Sequence, residues 1–135
     1  MKVNMYYLIV GVLSILFCFT HAWNGHTTVL PLVDAANLGL ITKTTIFYIW
    51  HIISVENLIF GIAFFIMAFY KDSTKVKFAA WMITVIILAR WLIIFSSTLL
   101  KDINGIKNTL IDSVAIIIFV GLIILGIRKK DKISS

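Results

Sequence analysis

Residues 49–69 read IWHIISVENLIFGIAFFIMAF, a stretch that is apolar enough to cross a membrane yet contains His51, Glu56 and Asn57. A carboxylate at the centre of a bilayer costs about 2.5 kcal/mol or more, so these polar groups need protein partners. Only helices and closed barrels satisfy their backbone hydrogen bonds in lipid, and an apolar run of this length is typical of a helix. The stretch therefore predicts a membrane-spanning helix with polar groups facing other helices.

The composition of the whole chain indicates the same class of protein. Its 135 residues are 61% hydrophobic and 13% charged, with a mean hydropathy of +1.03, whereas soluble domains are about half apolar and a quarter charged. The net charge of +6 comes mostly from short segments beside apolar runs, which favours lipid headgroups over nucleic acid as the partner. The single cysteine, Cys18, excludes an internal disulfide and a CxxC redox pair.

Four apolar runs predict one domain with four spans, at about 5–21, 46–70, 77–100 and 109–127. With four crossings, the side that holds both chain ends receives eight Lys and Arg residues, and the opposite side receives three. The positive-inside rule then places both termini in the cytoplasm. We expect an all-α integral membrane four-helix bundle, antiparallel and up-and-down, in a cell membrane and most simply the bacterial inner membrane.

The segments outside the spans are short. Residues 22–45 are predicted to form an outer loop, in which Thr28, Pro31 and Gly39 mark the start, first turn and end of a short interfacial helix. The basic tail, residues 128–135, is predicted to bind anionic lipid headgroups.

The first run has an alternative interpretation as a cleaved signal peptide, with Lys2 before it and the residues THA before Trp23 as a cleavage point. A retained helix is favoured because small and polar side chains recur at spacings of 4, 3, 4 and 3, a pattern typical of a helix-packing seam. These residues are Tyr7, Gly11, Ser14, Cys18 and His21. Gly11, Gly61 and Gly121 are further predicted to be points of close approach between helices.

Arg90 is the natural partner for Glu56. Glu56 lies ten residues into the second run and Arg90 lies ten residues before the end of the third. At about 1.5 Å per residue, both lie about 15 Å below the outer boundary of the membrane. Arginine offers a planar fork that binds a carboxylate through two hydrogen bonds, so we predict a Glu56–Arg90 pair near the midplane.

The remaining polar groups are predicted to lie in the outer half of the bundle. His51, Asn57 and Asp112 would line a cavity above the Glu56–Arg90 pair and bind a polar ligand or an ion. Imidazole and carboxylate groups also suit Zn or Cu, which makes His21, His26 and His51 candidate metal ligands. His21 and His51 are the only histidines at comparable depth, as a haem with two histidine ligands requires.

No motif selects a reaction or a known family. HExxH, GxSxG and glycine-rich phosphate loops do not occur, which favours a role other than that of an enzyme. The sequence leaves open a ligand- or ion-binding membrane protein, an accessory subunit in which the ion pair only orients helices, and a metal or haem redox carrier. A channel or transporter protomer is a further alternative. The accessory and channel roles imply a homo-oligomer or a larger membrane partner.

Overall fold

The structure, a computed structural model, describes residues 3–70 and 72–129. Regular secondary structure within these ranges is helical throughout, with no strand. Residues 130–135 of the predicted lipid-binding tail lie outside the described residues. The elements are α1 (Met5–Asn24), a π-helical segment (Gly25–Val29), α2 (Leu30–Ala35), α3 (Leu40–Phe69), α4 (Ser73–Lys101), a 3₁₀ turn (Ile103–Gly105) and α5 (Ile106–Arg128).

Four stretches of continuous helix are long and apolar enough to cross a membrane. They contain 31, 30, 28 and 26 residues, and a span needs about 20. The prediction of an all-helical chain with four apolar helices of spanning length is therefore confirmed, consistent with a small multi-pass membrane protein. The four stretches are Met5–Ala35, Leu40–Phe69, Thr74–Lys101 and Ile103–Arg128.

The surfaces of these helices are apolar as well. Phe19, Ile41, Ile93 and Ile117, one from each long stretch, are 65%, 84%, 66% and 66% exposed. Monomeric soluble proteins rarely expose large apolar areas. Lipid is the environment in which such a surface is favourable.

Helical structure continues through most of residues 22–45, the region predicted to form an outer loop with a short helix. The N–H of Leu30 donates to the carbonyl of Gly25, five residues earlier, which defines the π-helical segment. Pro31 follows at once and has no N–H to donate, so the α-helical pattern cannot pass through this point unchanged. The predicted helix start near Pro31 coincides with α2, but α2 continues directly from the π-helical segment.

The connection between α2 and α3 is therefore short. Only residues 36–39 are non-helical between the two helices. Lys43 Nζ donates to the backbone carbonyl of Asp34 at 2.5 Å across this connection.

The chain divides into two compact units. The first comprises the residues up to Val10 together with those from Met67 onward, and the second is Gly11–Ile66. In the first unit, hydroxyl and indole groups join α4 to α5. Trp91 Nε1 donates to Ser113 Oγ at 2.8 Å, and Thr109 Oγ1 lies 3.3 Å from Thr98 Oγ1. The partner numbers fall along α5 as they rise along α4, the pattern of a helical hairpin.

Residues just before α1 are hydrogen-bonded to the ends of two other helices within the first unit. The backbone N–H of Asn4 donates to the carbonyl of Ala68 at 2.9 Å, and Asn4 Nδ2 donates to the carbonyl of Gly126 at 3.0 Å. Lys129 Nζ donates to the carbonyl of Val3 at 2.8 Å. The start of α1 therefore lies beside the end of α3 and the end of α5.

In the second unit, glycines bring α1 and α3 into backbone contact. A Cβ at Gly11 would lie 3.0 Å from the carbonyl oxygen of Gly61 and from the backbone nitrogen of Phe65. A Cβ at Gly61 would lie 2.6 Å from the side chain of Ile15 and 3.0 Å from the carbonyl oxygen of Gly11. Such close approach is typical of helix pairs in membranes, where small residues form the interface.

Candidate functional site

Two histidines lie together where the π-helical segment meets the first turns of α3. The ring centroids of His26 and His51 are 5.1 Å apart, with an interplanar angle of 39°. Phe47 contacts both rings edge-on, at 4.4 Å from His51 and 6.3 Å from His26. His26 is exposed and His51 is partly buried, so the pair is accessible from outside the protein. We refer to His26 and His51 as the histidine pair.

Trp50 holds the π-helical segment against α3. Its Nε1 donates to the backbone carbonyl of His21 at 2.9 Å. The His21 ring stacks on the indole at a centroid distance of 4.3 Å and an interplanar angle of 8°. A Cβ at Gly25 would overlap the indole of Trp50, so only glycine allows this approach. These contacts fix the backbone next to His26 and so position the histidine pair.

The predicted ligand residues His51, Glu56 and Asn57 follow one another along α3. Glu56 is partly buried, and Asn57 is only 9% exposed. An open groove of about 480 Å³ runs along this helix and includes His51 and Glu56. The rest of its lining is mostly apolar, whereas the sequence analysis predicted a polar cavity for a ligand or an ion. The lining residues are Phe47, Tyr48, His51, Ile52, Val55, Glu56, Ile59 and Phe60.

The other two predicted ligand residues belong to the first unit. Arg90 lies on α4 and is partly buried, and Asp112 lies on α5 and is exposed. Arg90 directly precedes Trp91, whose indole is hydrogen-bonded to Ser113. Glu56 belongs to the second unit. The Glu56–Arg90 pair and the participation of Asp112 stay predictions.

The three predicted metal ligands do not share one environment. His26 and His51 lie side by side, whereas His21 stacks on Trp50. Among the residues that the structure describes, no group of three or more His, Cys, Asp or Glu side chains is arranged to hold a metal ion. Of the candidate ligands, the structure brings together His26 and His51.

The sequence analysis did not single out Trp50 or Gly25 as site residues. A tryptophan near a helix end is typical of a membrane interface. This general role gives no reason to expect the specific contact of Trp50 with His21. The one available signal was Gly25 directly before His26, since glycine often marks a close backbone approach.

Comparisons with family models, with curated proteins and with solved structures found no match to this chain.

Proposed function

We propose that this chain is a small integral membrane protein that binds a polar ligand or an ion in the outer half of a four-helix bundle. Glu56 and Arg90 form the base of the site, and His51, Asn57 and Asp112 lie above them. The observation that carries the proposal is the position of Glu56 near the middle of α3, a 30-residue apolar helix. Ionisable groups at such depth are costly and more often mark a functional site than a purely structural contact.

Contacts within each unit support the antiparallel arrangement. Along α1 and α3, partners run from Gly11 with Gly61 to His21 with Trp50, so the numbers rise on one helix and fall on the other. The contacts of Asn4 with Ala68 and Gly126 support placing the start of α1 on the same side as the ends of α3 and α5. Four spans that alternate in direction place the start of the first span on the same side as the ends of the second and fourth.

The cytoplasmic location of both termini predicts the outcome of cysteine labelling in intact cells. In a Cys18→Ser background, we expect Thr74→Cys, in the first turn of α4, to resist an impermeant maleimide because it would lie on the cytoplasmic side. Asn104→Cys, in the 3₁₀ turn, should react with it because the turn would lie outside. Both sites are exposed in the structure and should react after permeabilisation, which serves as the control. The reverse pattern would invert the proposed orientation.

The mechanism follows from the chemistry of the two charged groups. A carboxylate held by a guanidinium can be displaced by another anion or by a neutral hydrogen-bonding molecule of suitable shape. Displacement frees the carboxylate within an apolar region, so binding changes the local charge arrangement. A ligand shifts such an equilibrium only by the difference in its affinity for the two arrangements.

Native mass spectrometry of protein extracted from its own membrane tests the site. We expect wild-type protein to retain a bound small molecule or ion that Glu56→Gln and Arg90→Gln both lose, because each variant removes one charge of the pair and leaves a neutral amide side chain in its place. Lys75→Gln is the matched charge control, because Lys75 is exposed and lies outside the spans' apolar centre. The site proposal fails if the bound masses are the same in all four proteins, or if wild type carries lipid alone.

An accessory subunit is the second candidate, and the close contact of α1 with α3 favours it. Gly11 and Gly61 allow close packing of these two helices, and the hydrogen bond from Trp91 to Ser113 joins α4 to α5. In this role the ion pair would set helix orientation, and a second copy or a larger membrane protein would be the partner.

A further inference from the structure

We propose that His26 and His51 form a binding site for a divalent metal ion of the Zn²⁺ or Cu²⁺ class, with two imidazole ligands from the protein. The site lies where the π-helical segment meets α3. It shares His51 with the ligand site proposed above but uses neither Glu56 nor Arg90, so variants of those two residues test the two proposals separately.

The spacing of the two rings fits shared coordination. Two imidazoles that bind one tetrahedral Zn²⁺ through nitrogen, at about 2.0–2.1 Å, have ring centroids about 5 Å apart. The centroids of His26 and His51 are 5.1 Å apart. The observed ring spacing therefore matches the spacing that shared coordination of one ion requires.

The local backbone is organised to keep this spacing. π-helical turns are rare and occur frequently at functional sites, and His26 is the second residue of the segment Gly25–Val29. Trp50 holds that segment through the carbonyl of His21 and through its contact with Gly25. His51 is the residue after Trp50, so the side chain that fixes the segment is adjacent to one of the two ligands.

The donor set determines which ions fit. Imidazole suits Zn²⁺, Cu²⁺ and Ni²⁺, whereas Mg²⁺ and Ca²⁺ prefer oxygen ligands. Two protein ligands leave coordination positions for water or for a metal-binding molecule in solution. Because the described residues provide no cluster of three candidate ligands, we expect a reversible site rather than a closed structural one.

His21 provides a matched control within the same region. Its ring stacks on Trp50, and its backbone carbonyl accepts the indole hydrogen bond. Phenylalanine at position 21 preserves a stacking ring and the carbonyl while removing both imidazole nitrogens. If the proposal is correct, His21→Phe leaves metal affinity unchanged.

Metal titration of the full-length protein in nanodiscs, purified without a polyhistidine tag, tests the site. We expect one Zn²⁺ per chain by calorimetry, with affinity at least about tenfold lower in His26→Phe and in His51→Phe, since even loss of an outer-sphere contact typically costs 10–100-fold. Cu²⁺ bound to wild type should show electron paramagnetic resonance coupling to two imidazole nitrogens. Phenylalanine retains the ring packing. Circular dichroism of each variant checks that its helix content is unchanged.

Three results would overturn the metal site: no stoichiometric binding to wild type, unchanged affinity in both phenylalanine variants, or an equal loss in His21→Phe. Glu56→Gln is titrated in parallel. Normal Zn²⁺ binding by that variant, together with loss of its bound small molecule, would show that metal binding does not depend on Glu56. Failure of either proposal can therefore be recognised without the other.

Discussion

Gly61→Leu is expected to destabilise the protein by about 3 kcal/mol or more, because the new side chain would have no room between α1 and α3. Overpacking typically costs about 1–3 kcal/mol when neighbouring side chains can shift, and occasionally more. Here a Cβ at Gly61 would meet the carbonyl oxygen of Gly11 at 3.0 Å as well as the side chain of Ile15. A backbone atom cannot rotate away, so the helices would have to separate.

Thermal and denaturant unfolding in detergent micelles measures this effect. Gly11→Leu should behave similarly, because a Cβ at Gly11 would lie 3.0 Å from backbone atoms of Gly61 and Phe65. The matched control is Gly121→Leu in α5, since a Cβ there has no atom within 4 Å. If Gly121→Leu is as damaging as Gly61→Leu, the cost reflects leucine in an apolar helix and not the contact between α1 and α3.

If Glu56 and Arg90 are partners as proposed, replacing either one alone by leucine is expected to cost about 3–5 kcal/mol, because the other charge is left uncompensated in an apolar region. Replacing both is expected to restore stability close to that of wild type, since burying two charges consumes much of their attraction. The double-mutant cycle, measured by unfolding in micelles, therefore gives a coupling energy of several kcal/mol if the two residues are partners.

The surface pair Lys75–Asp72 provides a reference coupling energy for the double-mutant cycle. Its Nζ–Oδ2 distance is 3.7 Å and its side chains are 74% and 46% exposed, so a coupling of at most about 1 kcal/mol is expected. Additive costs for Glu56→Leu and Arg90→Leu would show that they are not partners. A stable double variant that has lost its bound small molecule would favour a binding site, and one that keeps normal activity in cells would favour an accessory role.

The long helices were the most predictable feature of the molecule. Continuous apolar runs predict spanning helices because, apart from closed barrels, only helices satisfy the backbone in lipid, and the four stretches follow that rule. Close approach at glycine was harder to predict. Gly11 and Gly61 have neighbouring backbone atoms as expected, whereas a Cβ at Gly121 would meet nothing within 4 Å. The sequence shows that a residue is small but not which neighbour its face of the helix meets.

The arrangement of the histidines was not predictable for a related reason. Residue spacing on an α-helix indicates which side chains share a face, but a π-helical segment changes the angle between residues before and after it. The relation of His26 to His21 could not be read from their separation in the chain. Contacts across the segment determine this relation. The His21 ring stacks on Trp50, and His26 lies beside His51.

The hydrogen bond from Asn4 to Gly126 has a consequence for biosynthesis. It joins residues 122 positions apart, so it cannot form until α5 has been synthesised and has left the ribosome. The Asn4 amide, just before α1, therefore gains this partner only after α5 has been made. A nascent chain interrupted before residue 126 would leave the Asn4 side chain without this partner.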